Sequence, residues 1–196
     1  NTANTSNFST TGSVAGYFEP TGLWYTQTLD SVLNPMRGYI PVATASTGTV
    51  SFAGTLNTGE KFIDLKRTST AAKPGFNLVG NPYPSYVSWD AATKTNLEPT
   101  IWYRSRNAGN TAYIFDTYNA TTHTGTGLNG SNVTTFIPPM QAFWVRVSAG
   151  NTTGRLTLNN TMRSHASGTN KLKAPAVVDQ QVVRLKVSNG VNEDEA

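Results

Sequence analysis

Residues 137–147 read IPPMQAFWVRV. Pro138 and Pro139 carry no amide hydrogen for a ladder and hold φ at about −65°, so the pair ends a loop. From Ala142 onward the residues alternate. Phe143, Val145 and Val147 fall on one side, and Trp144 and Arg146 on the other, which is the two-residue period of a strand. One of the two adjacent rings is therefore core and the other lies on the sheet surface or at an interface. Short runs of the same kind recur along the chain, at 17–18, 23–25, 39–42, 50–52, 61–65, 76–79, 102–103, 113–115, 136–137 and 156–158. Gly, Pro and Asn punctuate them, and 55–59 reads as the turn of a hairpin joining 50–52 to 61–65. Many short strands separated by turn signals predict an all-β fold, an antiparallel β-sandwich of jelly-roll-like form. The one helical turn expected is 89–96, with Asp90 as its cap.

Composition points the same way. Of 196 residues, 81 are Thr, Asn, Ser or Gly, and 13% are charged, against about 25% in an average globular chain. Thr favours strands and the others favour turns, so a helical bundle is disfavoured, while 10% aromatic residues are enough to build a core. The absence of cysteine excludes a disulfide scaffold, a thiolate zinc site and a cysteine nucleophile. No apolar run approaches the roughly 20 residues of a membrane-spanning helix, so no membrane insertion is expected. The net charge of +4 rests on scattered basic residues, with Lys66-Arg67 and the Arg104/Arg106 pair as local exceptions. Phosphate binding requires a clustered basic face, so no nucleic-acid partner is expected. The chain starts at Asn1 with neither Met nor an apolar leader, and reads as a processed chain or an excised piece.

Four segments follow from these patterns. Residues 1–16 form a polar lead-in or edge strand, 17–165 the sandwich domain, 166–176 a linker, and 177–196 a terminal extension strand with an acidic tail. Within the last segment, 181–188 read QVVRLKVS, with Val183, Leu185 and Val187 on one face and Arg184 and Lys186 on the other. A lone strand with an apolar face is unstable in water. It must pair back onto the sandwich, open a second module cut off at Ala196, or pair with another chain.

Residues 76–90, FNLVGNPYPSYVSWD, and the IPPMQAFWV stretch, together with Met36-Arg37-Gly38-Tyr39, SFAGTLNTGE and TLNNTMRSH, resemble a recurrent domain of Bacteroidota secreted proteins. Those proteins leave the cell through the type IX system and carry a C-terminal sorting domain, which has no counterpart here. The resemblance spans about 17–165. It implies a secreted, surface-attached, β-rich protein, and implies that VVRLKVSNG opens a following β-module. Asp30-Ser31-Val32 resembles the short O-glycosylation acceptor of the same bacteria, which marks Ser31 as a candidate modified residue. On physical grounds the two proline motifs read as structure. Pro82 and Pro84 around Tyr83 hold a rigid, non-helical corner, and Trp89 folds back onto the core.

A catalytic site does not emerge. His123 and His165 are the only histidines, each in a Thr-, Gly- or Ser-rich loop, and no G-x-S-x-G stands near either. Glu19, Asp30, Glu60, Asp64, Asp90, Glu98 and Asp116 show no spacing that pairs two carboxylates for glycoside hydrolysis or gathers metal ligands. Neither an enzyme nor a cofactor is expected. A non-catalytic, extracellular structural or adhesive β-domain is expected, self-associating or joining other surface proteins by addition of strand 181–188 or of the N-terminal segment. A carbohydrate-binding module is the second reading. Its polysaccharide would stack on Trp102, Tyr103 or Trp144, with Arg104 and Arg106 beside them, or on Tyr83, Tyr86 and Trp89. An accessory domain of a secreted hydrolase is the third.

Overall fold

The computed structural model describes residues 14–27, 32–41, 55–107, 109, 111–127, 132–165, 186–188 and 193–195. These residues form short antiparallel strands: β1 (Val14–Phe18), β2 (Leu23–Thr26), β3 (Tyr39–Pro41), β4 (Lys61–Lys66), β5 (Phe76–Gly80), β6 (Tyr86–Ser88), β7 (Thr93–Thr95) and β8 (Thr100–Arg106). The series continues with β9 (Tyr113–Asn119), β10 (Thr124–Thr126), β11 (Phe136–Ile137), β12 (Ala142–Arg146), β13 (Thr153–Leu158), β14 (Arg163–Ser164), β15 (Lys186–Ser188) and β16 (Glu193–Glu195). The fold is all-β, as expected. The lead-in before Val14, the 50–52 arm of the expected hairpin, Ser31, the linker, Val183 and Leu185 lie outside the described residues.

A five-stranded sheet of order β10-β9-β8-β12-β5 carries more aromatic residues than any other described sheet. Its inner face presents Val79, Ile101, Tyr103, Tyr118, Phe143 and Val145, and these join Leu65, Leu156 and Leu158 of the β4-β13-β7 sheet in one buried cluster. Val87 and Ile137 of the β11-β6-β14 sheet belong to the same cluster, and a core shared by separate sheets is what a sandwich requires. The alternation of 142–147 is as read: Phe143, Val145 and Val147 are core, and Trp144 faces the other way.

A third layer covers that other face at β12 and β5. In the β2-β1-β3 sheet, Tyr17 and Trp24 stand opposite each other and meet Trp144 edge-on, with ring centroids 4.8 and 5.8 Å away. The Arg37–Val79 bridge joins this layer to β5, where the Gly38 amide donates to the Leu78 carbonyl and the Gly80 amide to that of Met36. A Cβ on Gly38 would lie 2.5 Å from Leu78 Cγ, so only glycine permits this approach. Glu19, buried just after β1, pins the layer down. Its carboxylate accepts the amides of Thr68 (2.9 Å) and Gly75 (2.7 Å) and the Thr68 hydroxyl (2.9 Å).

The two proline motifs turn out to be halves of one corner. Asn81 donates its amide to Gln141. Its side-chain nitrogen faces the carbonyls of Ser85 (2.8 Å), Pro138 (3.0 Å) and Ile137 (3.1 Å), while Oδ1 accepts the Tyr83 amide. Tyr83 is buried, with its hydroxyl 2.6 Å from the Gly59 carbonyl and 3.0 Å from that of Leu158. Trp89 is wholly buried, as expected, and its indole N–H donates to Pro99.

The helical turn expected at 89–96 is corrected. A single turn at 89–92 gives way to β7, which pairs with β13. Lys94 competes with the helix: its ammonium donates to the Trp89 (2.6 Å) and Ala92 (2.7 Å) carbonyls that a helix would have used. Asp90 turns its carboxylate to Tyr118 and His123 instead of capping. The described helical turn lies at Asn160–Met162 and is 3-10, with Asn159 as its cap. At the other end of the chain, β15 and β16 pair so that Lys186 stands opposite Glu195 and Val187 opposite Asp194. The acidic tail is thus a strand partner to the residues before it.

Candidate binding surface

Register sets the outer face of β8 and β9. Trp102 stands opposite Thr117, Arg104 opposite Phe115, and Arg106 opposite Tyr113, so these side chains share one face. Tyr113 and Phe115 are about half exposed, 53% and 47%. The guanidinium carbons of Arg104 and Arg106 lie 3.5 and 3.9 Å from the Tyr113 ring centroid, and Arg106 also donates to the Tyr113 hydroxyl at 3.0 Å. The opposite face of β9 turns inward because Asp116 is buried and accepts the Ser105 hydroxyl at 2.9 Å.

The aromatics expected to stack sugar separate into three situations. Trp102 is half-buried, its ring edge-on to Phe76 at 5.2 Å. Trp144 is almost covered by Tyr17 and Trp24. Tyr103 points into the core, where its hydroxyl lacks a partner among the described residues and burial pushes its ionisation far above the usual phenol range. A ring so placed offers no face to a sugar, and neither do buried Tyr83 and Trp89. Tyr113 and Phe115 are the exposed rings beside Arg104 and Arg106, and sequence reasoning did not single them out. The signal was the alternation of YIFDTYN, but its parity depended on Asp116 facing inward.

A second surface lies on the β1–β2 hairpin. Phe18 and Leu23 stand opposite each other and are 46% and 65% exposed. With Thr21, Trp24 and Tyr25 they line an open hollow of about 370 Å³. Tyr25 lies on Gly16, where a Cβ would come 2.5 Å from the ring. The outer edge of β2 carries no strand among the described residues.

Asp64, Asp90, Glu98 and His123 hold turns and strands together. His123 Nδ1 is 3.2 Å from Asp90, whose same oxygen accepts the Tyr118 hydroxyl at 2.9 Å. Burial, and then this bond, raise the Tyr118 ionisation. His123 is a loop residue, as expected, but it is paired with Asp90, a contact the sequence did not suggest. Asp64 accepts two bonds from Arg155, which lower its pKa, and Glu98 pairs with Arg146 at 3.5 Å. Among the described residues, no three His, Cys, Asp or Glu side chains stand close enough together to hold a metal ion.

Comparison with curated proteins and with solved structures returns no match. A family model matches residues 3–181, running through the segment read as a linker and stopping where QVVRLKVS begins. The chain therefore belongs to the family described as a domain of unknown function, DUF8693.

Proposed function

We propose that this chain is a non-catalytic, extracellular structural and adhesive β-domain of a bacterial surface protein, and that copies join by strand addition at the edge of β2. The observation that carries the reading is the β1–β2 hairpin. One of its faces packs on Trp144, the other leaves Phe18 and Leu23 exposed, and its edge strand is not capped by another described strand. Natural edge strands are blunted by charge, proline or a covering loop. An apolar edge left without these devices is a template for another chain. Residues 181–188 supply the complementary strand, with Val183, Leu185 and Val187 alternating with Arg184 and Lys186. The buried polar side chains support a structural role, because Glu19 and Asn81 are spent on backbone groups of other segments. The resemblance of the two proline motifs to type IX-exported Bacteroidota proteins supports the location outside the cell.

Sedimentation of the full chain over a wide concentration range tests the assembly. Concentration-dependent oligomers are expected. Deletion of 181–196 and the edge charge Leu23→Lys are each expected to return the protein to a monomer with unchanged near-UV circular dichroism. A full-length chain that stays monomeric, or oligomers indifferent to both changes, would overturn the proposal.

A further inference from the structure

The outer face of β8 and β9 carries a combination that packing alone does not require. Its eight side-chain positions are Thr100, Trp102, Arg104, Arg106, Tyr113, Phe115, Thr117 and Asn119, which is two cations and three aromatic rings without an acid. Like charges this close repel, and the Tyr113 ring offsets that by holding both guanidinium groups against its π-system. The ring holds both cations in place; Arg106 spends an N–H on the Tyr113 hydroxyl, and the guanidinium fork of Arg104 is the kind of group that recognises carboxylates. Arg104 is exposed and has neither a hydrogen bond nor an ion pair among the described residues. By contrast Arg155, also exposed, is neutralised by Asp64, and Arg146 by Glu98.

We propose that Arg104, Arg106, Tyr113 and Phe115 form a binding site for an acidic polysaccharide, a chain of uronic acid residues. The charge of the face selects an anion. Its rings add a second requirement, since the C–H face of a sugar covers an exposed phenyl ring such as Phe115 while its carboxylate reaches Arg104 directly across the strand pair. The side chains of the face argue for a sugar. β8 pairs with β9 along 100–106, and β10 flanks β9 at 117–119, so Thr100, Thr117 and Asn119 stand on a flat face as hydrogen-bonding groups that suit a hydroxylated polymer. The outer edge of β9 at 113–116 lies beyond the β10 pairing, and the poly-glutamate arm of the test reads whether a peptide adds there. The site lies on a different sheet from the β2 edge, so it stands or falls independently of self-association.

Affinity electrophoresis of the full chain in native gels tests this, with polygalacturonate, neutral dextran or poly-glutamate in the matrix. Polygalacturonate is expected to retard the protein in a salt-dependent way, and dextran to leave it unretarded. Arg104→Gln and Tyr113→Ala are each expected to weaken the interaction about tenfold, the scale of one charge-assisted hydrogen bond. Phe115→Ala, which leaves the charge intact, is expected to weaken it severalfold, and Arg155→Gln to leave it unchanged. No retardation by polygalacturonate would overturn the proposal. So would equal retardation by poly-glutamate, which would assign an acidic peptide instead, or an equal loss in Arg155→Gln, which would make the effect diffuse charge. Because all four positions are exposed, near-UV circular dichroism of each variant is expected to match the parent. A variant that loses binding only along with its fold would leave Arg104→Lys, which keeps the charge but loses the planar fork, to decide: retained affinity would refute the stacked geometry.

Discussion

Tyr103 is a phenol set into the core between β9 and β12, and its hydroxyl lacks a hydrogen-bond partner among the described residues. A buried, unpaired hydroxyl carries a desolvation cost of about 1–3 kcal/mol. Tyr103→Phe keeps the ring and removes that cost, so we expect the melting temperature to rise by a few degrees, about 2–4 °C per kcal/mol in a domain of this size. Alkali gives an independent reading. Tyr103, Tyr118 and Tyr83 are all pushed above the usual phenol range, each first by burial, so the folded state holds protons that the unfolded state releases. Stability from such groups is fully present below pH 10 and is lost as pH rises beyond it. We expect cooperative unfolding in alkali, followed by tyrosinate absorbance, with Tyr103→Phe moving the transition to higher pH. A phenylalanine variant less stable than the parent in both assays would show that the hydroxyl is paired. The strand containing Tyr103 was readable from its short apolar run, but neither ring of the Trp102-Tyr103 pair is exposed: Tyr103 is core and Trp102 is half-buried against Phe76. Which face of β9 pointed out was not readable. Hydropathy favours Tyr113 and Phe115 inside and Asp116 outside, and the buried Ser105–Asp116 bond reverses that order.

At the scale of elements, local chemistry gave the strands their existence, and contacts distant in sequence gave them their partners. GNPYP and IPPMQ each read as a rigid turn from proline alone. Nothing in either stretch states that Asn81 would reach the carbonyls of Ile137 and Pro138, 56 and 57 positions away. The misread helix at 89–96 has the same cause. Helix propensity describes the Ala-Ala-Thr-Lys run correctly, but β13 offered β7 a ladder and Lys94 took the turn's carbonyls. Asn81 is accordingly the residue on which the corner depends. Asn81→Ala strips the donor from three carbonyls and the acceptor from the Tyr83 amide inside a buried site. We expect it to cost about 2–4 kcal/mol, read as a lower urea midpoint with an unchanged slope. Asn81→Asp is expected to be at least as costly, because it sets a carboxylate against those carbonyls. A loss below about 0.5 kcal/mol, the range of ordinary surface changes, would show that the two motifs do not support each other.

The whole molecule is built in two tiers of unequal strength. The five-stranded sheet and its partner sheets share one core in which Val79, Val87, Trp89, Ile101, Ile137, Phe143, Val145, Leu156 and Leu158 are fully buried. The β2-β1-β3 layer contributes none of its strand residues to that cluster. It is held by the Trp144 contacts, the Arg37–Val79 bridge and the three bonds to Glu19. Local opening follows the density of buried apolar contacts, so amide exchange in β1 and β2 should outpace that in β5, β8 and β12. Glu19 is the lever that separates the tiers. Glu19→Ala leaves the Thr68 and Gly75 amides without their acceptor, and the amides of Gly16, Tyr17 and Tyr25 are expected to exchange at least tenfold faster. Exchange in Ile101, Phe143 and Val145 is expected to stay close to that of the parent. The experiment also bears on assembly, because strand addition requires an edge that holds its shape before a partner arrives. If β1 and β2 exchange as slowly as β12, or if Glu19→Ala accelerates both tiers alike, the hairpin is part of one cooperative unit. Its exposed apolar edge would then be as rigid as the core it rests on.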